Sequence, residues 1–223
     1  MKTLIINKFH ALQVLFLSCA TSIFMLGIKL KITHEFFYLF LVWNLFLAII
    51  PLIVVWWLQS RNSTSNLLNI AAVCIWLLFL PNSPYVITDF IHLQYSQALL
   101  ADTVIIFAFA VASLFAGLLS ICEMRSFFSY RFSRKQLNIM TQIIFFLCGY
   151  GIYLGRVLRY NSWDILSNPI QLLRDNLAFI KNPVNNWPVF AVTICCGIFL
   201  SAIFYAAEPF LKRLSRISQH EAQ

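Results

Sequence analysis

The chain has 223 residues, of which 61% are aliphatic, aromatic or cysteine and only 11% are charged. A soluble domain carries about 25% charged residues, so this composition excludes an ordinary water-soluble globule and indicates a protein embedded in a bilayer. The net charge of +8 raises nucleic acid as a partner, but the chain has no aromatic-and-basic nucleic-acid motif. Basic loops that fix the orientation of a membrane protein account for the charge instead.

Six apolar segments are candidates to cross the bilayer, which takes about 20 residues in a helix. They predict an all-α integral membrane protein that forms a single polytopic domain. Their predicted bounds are 11–28, 36–58, 67–80, 103–121, 139–158 and 187–207. The first segment begins like a signal peptide, but its apolar run continues past Cys19 to Ile28, which favours an uncleaved span. All six cysteines lie within or beside apolar runs and form no C-x-x-C pair, so we expect neither a disulfide nor a zinc site.

The basic residues are divided unevenly between the two sides of these spans. Ten of the 16 Lys and Arg residues fall on the side that holds both termini, among them Lys2 and Arg125. Six fall on the other side, among them Lys29, which we assign to a loop. The positive-inside rule therefore predicts cytoplasmic N- and C-termini.

The third segment is short, at 14 residues, and runs into the motif LPNSPYVITDFIHL. Proline inside a helix removes a hydrogen bond and clashes with the preceding turn, so the span should break between Pro81 and Pro84. Ser83 before Pro84 is typical of a helix start, with a hydroxyl as the N-cap. We expect a second, amphipathic helix from Pro84 to about Gln97, either on the outer surface or dipping into the bilayer.

One face of this second helix is polar. Its members recur at i, i+4, i+7 and i+11, and they are Tyr85, Asp89, His92 and Ser96. Such groups go unsatisfied in lipid, so the face must meet water, a cavity or polar partners on other helices.

The fifth segment ends in a second motif, GYGIYLGRVLRYNSWD. Gly151 and Gly155 have the G-x-x-x-G spacing that lets a neighbouring helix approach closely. Arg156 follows at once, and Ser162 is a candidate cap for a short turn that holds Trp163 and the following acid.

A short amphipathic helix should follow within the segment NPIQLLRDNLAFIKNP. Asn168 is the predicted N-cap, and Pro169 takes the first helical position. Apolar residues then repeat at helical spacing, and they are Ile170, Leu173, Leu177 and Ile180. This pattern predicts a helix that lies on the outer leaflet.

The predicted topology gathers five charged or titratable side chains on the outer side of the membrane. They are the candidate ligand-binding residues Asp89, His92, Arg156, Arg159 and Asp164. Guanidinium groups match phosphate bidentately, so this set favours a membrane-embedded protein that binds or transports an anionic lipid or solute at an outward-facing pocket, with the bilayer itself as a further partner. The structural alternative is that the arginines reach the headgroups and the other residues bond across helices.

Two other functions remain open from the sequence. Asp89 and His92 at i, i+3 would suit one metal ion or a base and its orienting group, with His34 or Glu35 as a further ligand. The chain lacks the common metalloprotease and serine-hydrolase motifs, so no catalytic residue, metal or cofactor is assigned. An accessory subunit, in which the polar residues only fix packing, is the other alternative. The sequence leaves the oligomeric state open.

Together, the motifs LPNSPYVITDFIHL and GIYLGRVLRYNSWD resemble a bacterial family catalogued as domain of unknown function 1361. The resemblance covers most of the chain and implies a small multi-pass protein of the bacterial inner membrane. The family carries no established activity, so the resemblance assigns no catalytic or binding role. Asp89, His92, Arg156, Arg159 and Asp164 all fall within the two motifs.

Overall fold

The computed structural model describes residues 8–61, 66–96 and 98–220, so Lys2 and Gln97 lie outside the described residues. Within these ranges the chain is helical and contains no strand. The α-helices are α1 Phe9–Thr33, α2 Phe40–Ser60, α3 Asn66–Phe79, α4 Asn82–Tyr85, α5 Leu99–Phe128, α6 Arg134–Arg156, α7 Asp164–Ser167, α8 Pro169–Lys181 and α9 Trp187–His220. Two 3₁₀ helices, Phe37–Leu39 and Val86–Tyr95, precede α2 and follow α4.

In the part of the chain that the structure describes, six helical stretches are long and apolar enough to cross a membrane, as predicted. They are Phe9–Thr33, Phe37–Ser60, Asn66–Gln94, Leu99–Phe128, Arg134–Arg156 and Trp187–Leu214. Each keeps large apolar side chains exposed on the outside of the bundle, for example Phe16, Phe46, Ile70, Phe107, Ile143 and Phe199. This outer surface suits lipid, and the all-α integral membrane fold is confirmed. Which end of the spans faces the cytoplasm stays a prediction.

α5 is the most buried span and lies at the centre of the bundle. It contacts α1, α2, α4 and the 3₁₀ helix Val86–Tyr95, while α6 pairs chiefly with α9. Small residues let these neighbours approach α5 closely: a Cβ on Gly117 would lie 2.5 Å from the Cβ of Ser83.

The break in the third span is confirmed, but the chain does not leave the bundle there. α3 has the predicted 14 residues, and α4 and the 3₁₀ helix then continue the same apolar stretch to Gln94. Backbone hydrogen bonds bridge the prolines, from the Ser83 N–H to the Leu80 carbonyl and from the Tyr85 N–H to the Pro81 carbonyl, both 3.1 Å. The span is therefore longer than predicted, because the turn through the prolines is itself hydrogen-bonded and the apolar stretch continues beyond it.

The predicted cap at Ser83 is wrong. Pro81 occupies the N-cap position of α4, and the buried Ser83 hydroxyl instead donates to the Ala48 carbonyl of α2, at 3.1 Å. Because α2 packs directly against α4, an acceptor on another span is within reach of this hydroxyl.

Ion pairs join both ends of the antiparallel helices α1 and α5. Lys8, just before α1, pairs with Glu123, and Lys29, near the other end of α1, pairs with Asp102. The two lysines are 21 residues apart, as are the two acids, so the helices keep one register along their whole contact. Lys29 is therefore buried, at 7% exposure, and the assignment to a loop is wrong.

Candidate functional site

The two sequence motifs pack against each other. A Cβ on Gly151 would lie 2.7 Å from Cγ of Pro81, and a Cβ on Gly155 would lie 3.0 Å from the Tyr85 ring. Side chains at these positions would push the helices apart, so the close approach predicted from the G-x-x-x-G spacing is confirmed. Its partner is the interrupted third span.

An ion pair between the motifs lies one turn beyond this contact. Arg156, the last residue of α6, donates through Nη2 to Asp89 and to the Thr88 hydroxyl (2.5 Å), and through Nε to the same hydroxyl (2.9 Å). Asn44 of α2 donates to the second carboxylate oxygen of Asp89, at 3.1 Å. The Tyr85 ring lies against the guanidinium, 4.4 Å from its carbon. Asp89 is only 1% exposed, so this group links three spans at a buried point.

His92 joins Asp89 and Arg156 because the 3₁₀ helix has three residues per turn and brings i and i+3 onto one line. Its Nε2 lies 3.4 Å from Nη1 of Arg156 and 3.9 Å from Oδ1 of Asp89. The rings of Phe37 and Phe40 meet the imidazole edge to face, at 5.7 and 5.1 Å. The side chains of His92 and Arg156 are 27% and 22% exposed, so the cluster is open on one side.

The polar face predicted for this segment holds only in part. Tyr85, Asp89 and His92 all meet Arg156, whereas Ser96 donates to Asp102, at 2.7 Å. The tighter 3₁₀ winding shifts the register away from the α-helical spacing, and the 3₁₀ helix ends before Ser96.

Arg159 lies in the turn that follows α6 and Asp164 begins α7, and neither contributes a hydrogen bond to the Arg156–Asp89 pair. The Arg159 backbone is left-handed, with a φ of 61°, and its exposed side chain makes no hydrogen bond or ion pair with any described residue. The Asp164 carboxylate accepts from the backbone N–H of Asn161 (2.6 Å) and from the Ser167 hydroxyl (2.9 Å). The bond from the Asn161 N–H lowers the pKa of Asp164 below its usual value. Asp164 therefore organises the turn.

Ser162 contacts the interrupted span, and the predicted capping role is wrong because Trp163 occupies the N-cap of α7. The Ser162 hydroxyl donates to the Leu78 carbonyl (3.3 Å) and accepts from Asn82 Nδ2 (3.0 Å). The Asn82 amide also donates to the Phe79 carbonyl, at 2.9 Å. These bonds satisfy carbonyls beside the proline interruption, which lipid could not do.

Replacing Ser162 with alanine is expected to lower the free energy of unfolding by about 1–2 kcal/mol, since the Leu78 carbonyl and the Asn82 amide each lose a partner. Reversible unfolding in mixed-detergent micelles measures this change. Ser167→Ala serves as the control: it removes a hydroxyl of α7 whose bond to Asp164 is exposed to solvent, so it should change stability much less. Equal losses in the two variants would contradict the role of Ser162.

A second buried acid, Asp102, was missing from the predicted site residues. It accepts hydrogen bonds from Lys29, from the Tyr38 hydroxyl (2.9 Å) and from the Ser96 hydroxyl (2.7 Å). The Lys29 ammonium also lies 3.9 Å from the centre of the Tyr38 ring. Asp102 joins α1 to α5, and Asp89 joins α2 and α6 to the third span, at the same end of the bundle. A lysine and an acid near the ends of apolar runs were the available sequence signal.

The described residues offer no group of three or more His, Cys, Asp or Glu side chains arranged to hold a metal ion. Both carboxylate oxygens of Asp89 are already engaged, by Arg156 and by Asn44. His34 and Glu35, the predicted further ligands, are exposed. The described residues therefore supply no third ligand for a metal ion at Asp89 and His92.

The fold and its polar end define a multi-pass, all-helical membrane protein. Residues 43–203 match the model of the family described as "Protein of unknown function (DUF1361)", and the chain belongs to that family. Both sequence motifs fall inside the matched region, so the resemblance noted from them is confirmed. No curated protein and no solved structure matches the chain. A bacterial origin and an inner-membrane location stay predictions.

Proposed function

We propose that this protein is a membrane-embedded binding protein that holds an anionic, phosphate-bearing lipid or solute at the end of the bundle where α6 stops. The observation that carries the proposal is the conformation of Arg159. Its backbone is held in the left-handed region, while its guanidinium is exposed and unpaired among the described residues.

The left-handed backbone of Arg159 is strained and destabilises the turn relative to a glycine at the same position. Such conformations cost about 1–3 kcal/mol for ordinary residues, and glycine adopts them without strain. Backbone strain that persists in a structure is commonly found at functional positions. The strain at Arg159 therefore supports a role for its side chain.

The charge balance at this end also favours Arg159 as the residue that attracts an anion. Asp89 neutralises Arg156, whose Nη1 faces the partly exposed ring of His92. Arg159, three residues after Arg156, adds a positive charge that has no ion-pair partner among the described residues. Phosphate accepts from guanidinium groups in a bidentate manner, so an exposed arginine without a partner suits a phosphate-bearing ligand.

Arg159→Gly is expected to keep or raise stability, because glycine relieves the left-handed strain, and to weaken binding of an anionic lipid by about tenfold or more. The second expectation follows because hydrogen bonds to charged groups contribute about 1.5–3 kcal/mol. Native mass spectrometry of the full chain, titrated with phosphatidylglycerol or with phosphatidylcholine, measures binding of each lipid.

Two controls sharpen this test. Arg159→Lys keeps the charge and should retain part of the affinity, and Arg131→Gln removes an exposed charge at the opposite end of the bundle and should have no effect. Competition by inorganic phosphate would identify a free anion rather than a lipid as the ligand. Equal binding of phosphatidylglycerol to the native chain and to Arg159→Gly would overturn the proposal.

An accessory, packing role is favoured by a different observation. Arg156 and Asp89 bond to each other, Arg156 also donates to Thr88, and Asp89 also accepts from Asn44. These bonds use most of the hydrogen-bonding capacity of the pair. In that case the protein carries no lipid or phosphate in gentle detergent but copurifies with a stable protein partner.

A further inference from the structure

Helix α8 presents three different faces, spaced roughly a third of a turn apart at 100° per residue. The first face contacts the protein and contains Leu172, Asp175, Asn176 and Phe179. The second face is apolar and contains Ile170, Leu173, Leu177 and Ile180. The third face is exposed and mostly polar, and it contains Gln171, Arg174, Ala178 and Lys181.

The protein-facing side fixes α8 at the end of α6. The Tyr150 hydroxyl donates to the Asn176 side chain, and the Phe179 ring packs edge to face on Tyr153, at 5.9 Å. The Tyr160 hydroxyl donates to Asp175 at 2.7 Å, and this bond raises the pKa of Tyr160 to about 12. These contacts therefore hold α8 against the end of α6 and the turn that follows it.

The apolar face of α8 points away from the protein. Its four side chains are between 44% and 75% exposed. The helix lies in the connection between the fifth span and the sixth. Trp163 and Trp187, which flank the segment and are themselves exposed, are of the type that collects at a membrane interface.

The placement of the basic residues on α8 is also typical of a helix that lies in a membrane interface. Arg174 and Lys181 lie on the edge of the polar face that borders the apolar face. Cations at this border reach phosphate groups while their aliphatic stems cover apolar surface.

From this arrangement we propose that α8 is an interfacial anchor: its apolar face inserts between the headgroups and acyl chains of the leaflet where α6 ends, and its third face stays in water. The occupant of the apolar face is the bilayer itself. This inference does not depend on ligand binding at Arg159.

Spin-label accessibility tests the anchor with controls on the same helix. Nitroxide labels are placed one at a time at Leu173→Cys, Leu177→Cys, Gln171→Cys and Ala178→Cys. Each label is introduced into the full chain after its native cysteines have been replaced, provided that the helix content is unchanged. The labelled protein is then reconstituted in vesicles of phosphatidylcholine and phosphatidylglycerol. All four positions are exposed in the structure, so they differ only if something covers one face.

Oxygen partitions into the bilayer, whereas a nickel chelate stays in water. The ratio of oxygen to nickel accessibility should be several-fold higher at Leu173 and Leu177 than at Gln171 and Ala178. Equal ratios on the two faces would place α8 away from the bilayer and overturn the proposal. Labels at Leu173 and Leu177 that are immobile and shielded from both reagents would also overturn it, because a protein partner would then cover the face.

Discussion

Replacing Lys29 with methionine is expected to lower the free energy of unfolding by about 3–5 kcal/mol, because the change leaves the Asp102 carboxylate buried without its cation. Asp102 is 2% exposed, so water cannot take the place of the lysine. The Tyr38 and Ser96 hydroxyls would still donate to it, but neither carries a charge. Reversible unfolding in mixed-detergent micelles measures the loss.

The double variant makes this prediction specific to charge. Asp102→Asn alone leaves a buried ammonium and should cost a similar amount, whereas Lys29→Met with Asp102→Asn removes both charges and should cost less than either single change. Lys31→Met, at an exposed position on the same helix, should be nearly neutral. Additive losses in the double variant would show that the two side chains act independently.

Gly149→Ala is expected to destabilise the protein by about 1–3 kcal/mol through overpacking, although alanine is the better helix former by about 1 kcal/mol. A Cβ at this position in α6 would lie 2.6 Å from the Thr193 carbonyl oxygen. That oxygen belongs to the backbone of α9, so relief requires the two helices to separate. The same micelle unfolding assay measures the effect.

Gly27→Ala in α1 is the matched control. Apart from the adjacent residues and the backbone of the neighbouring turns of α1, no heavy atom of the described residues lies within 4 Å of the added Cβ, so the change should raise stability by up to about 1 kcal/mol. A loss at both glycines would mean that helix contact at Gly149 is not the cause.

Features that depend on local chain geometry could be predicted from the sequence. Six apolar runs become six spans because lipid requires helical backbone with apolar side chains. The interruption at Pro81 follows from the missing N–H, and the close approach at Gly151 and Gly155 follows from the missing Cβ. The predicted topology also placed Asp89, His92 and Arg156 on one side of the membrane, although the contact between Asp89 and Arg156, 67 residues apart, depends on the packing of the two motifs.

Features that depend on distant partners could not be predicted. Lys29 at the end of an apolar run is indistinguishable from a loop lysine until its partner, 73 residues away, is known. Ser83 and Ser162 both looked like local helix caps, yet each hydroxyl bonds to a carbonyl of another span. Inside a bundle, a hydroxyl donates to any free acceptor within reach, including a carbonyl of a neighbouring span. The spacing of residues in the sequence predicts only the acceptors that are close along the chain. Thr88 and Asn44 carried no signal, because neutral polar residues near span ends are common.

The spacing of the ion pairs at the two ends of α1 and α5 also bears on the thickness of the bilayer that fits this protein. A separation of 21 residues corresponds to about 31 Å along a helix, close to the roughly 30 Å hydrocarbon thickness of a typical bilayer. Because the two helices cannot slide past each other without breaking a pair, the apolar height of the bundle is set by the spacing of its lysines and acids. A thinner or thicker bilayer must therefore deform around the protein or tilt the bundle as one body, and membranes of matching thickness accommodate it at the lowest energy.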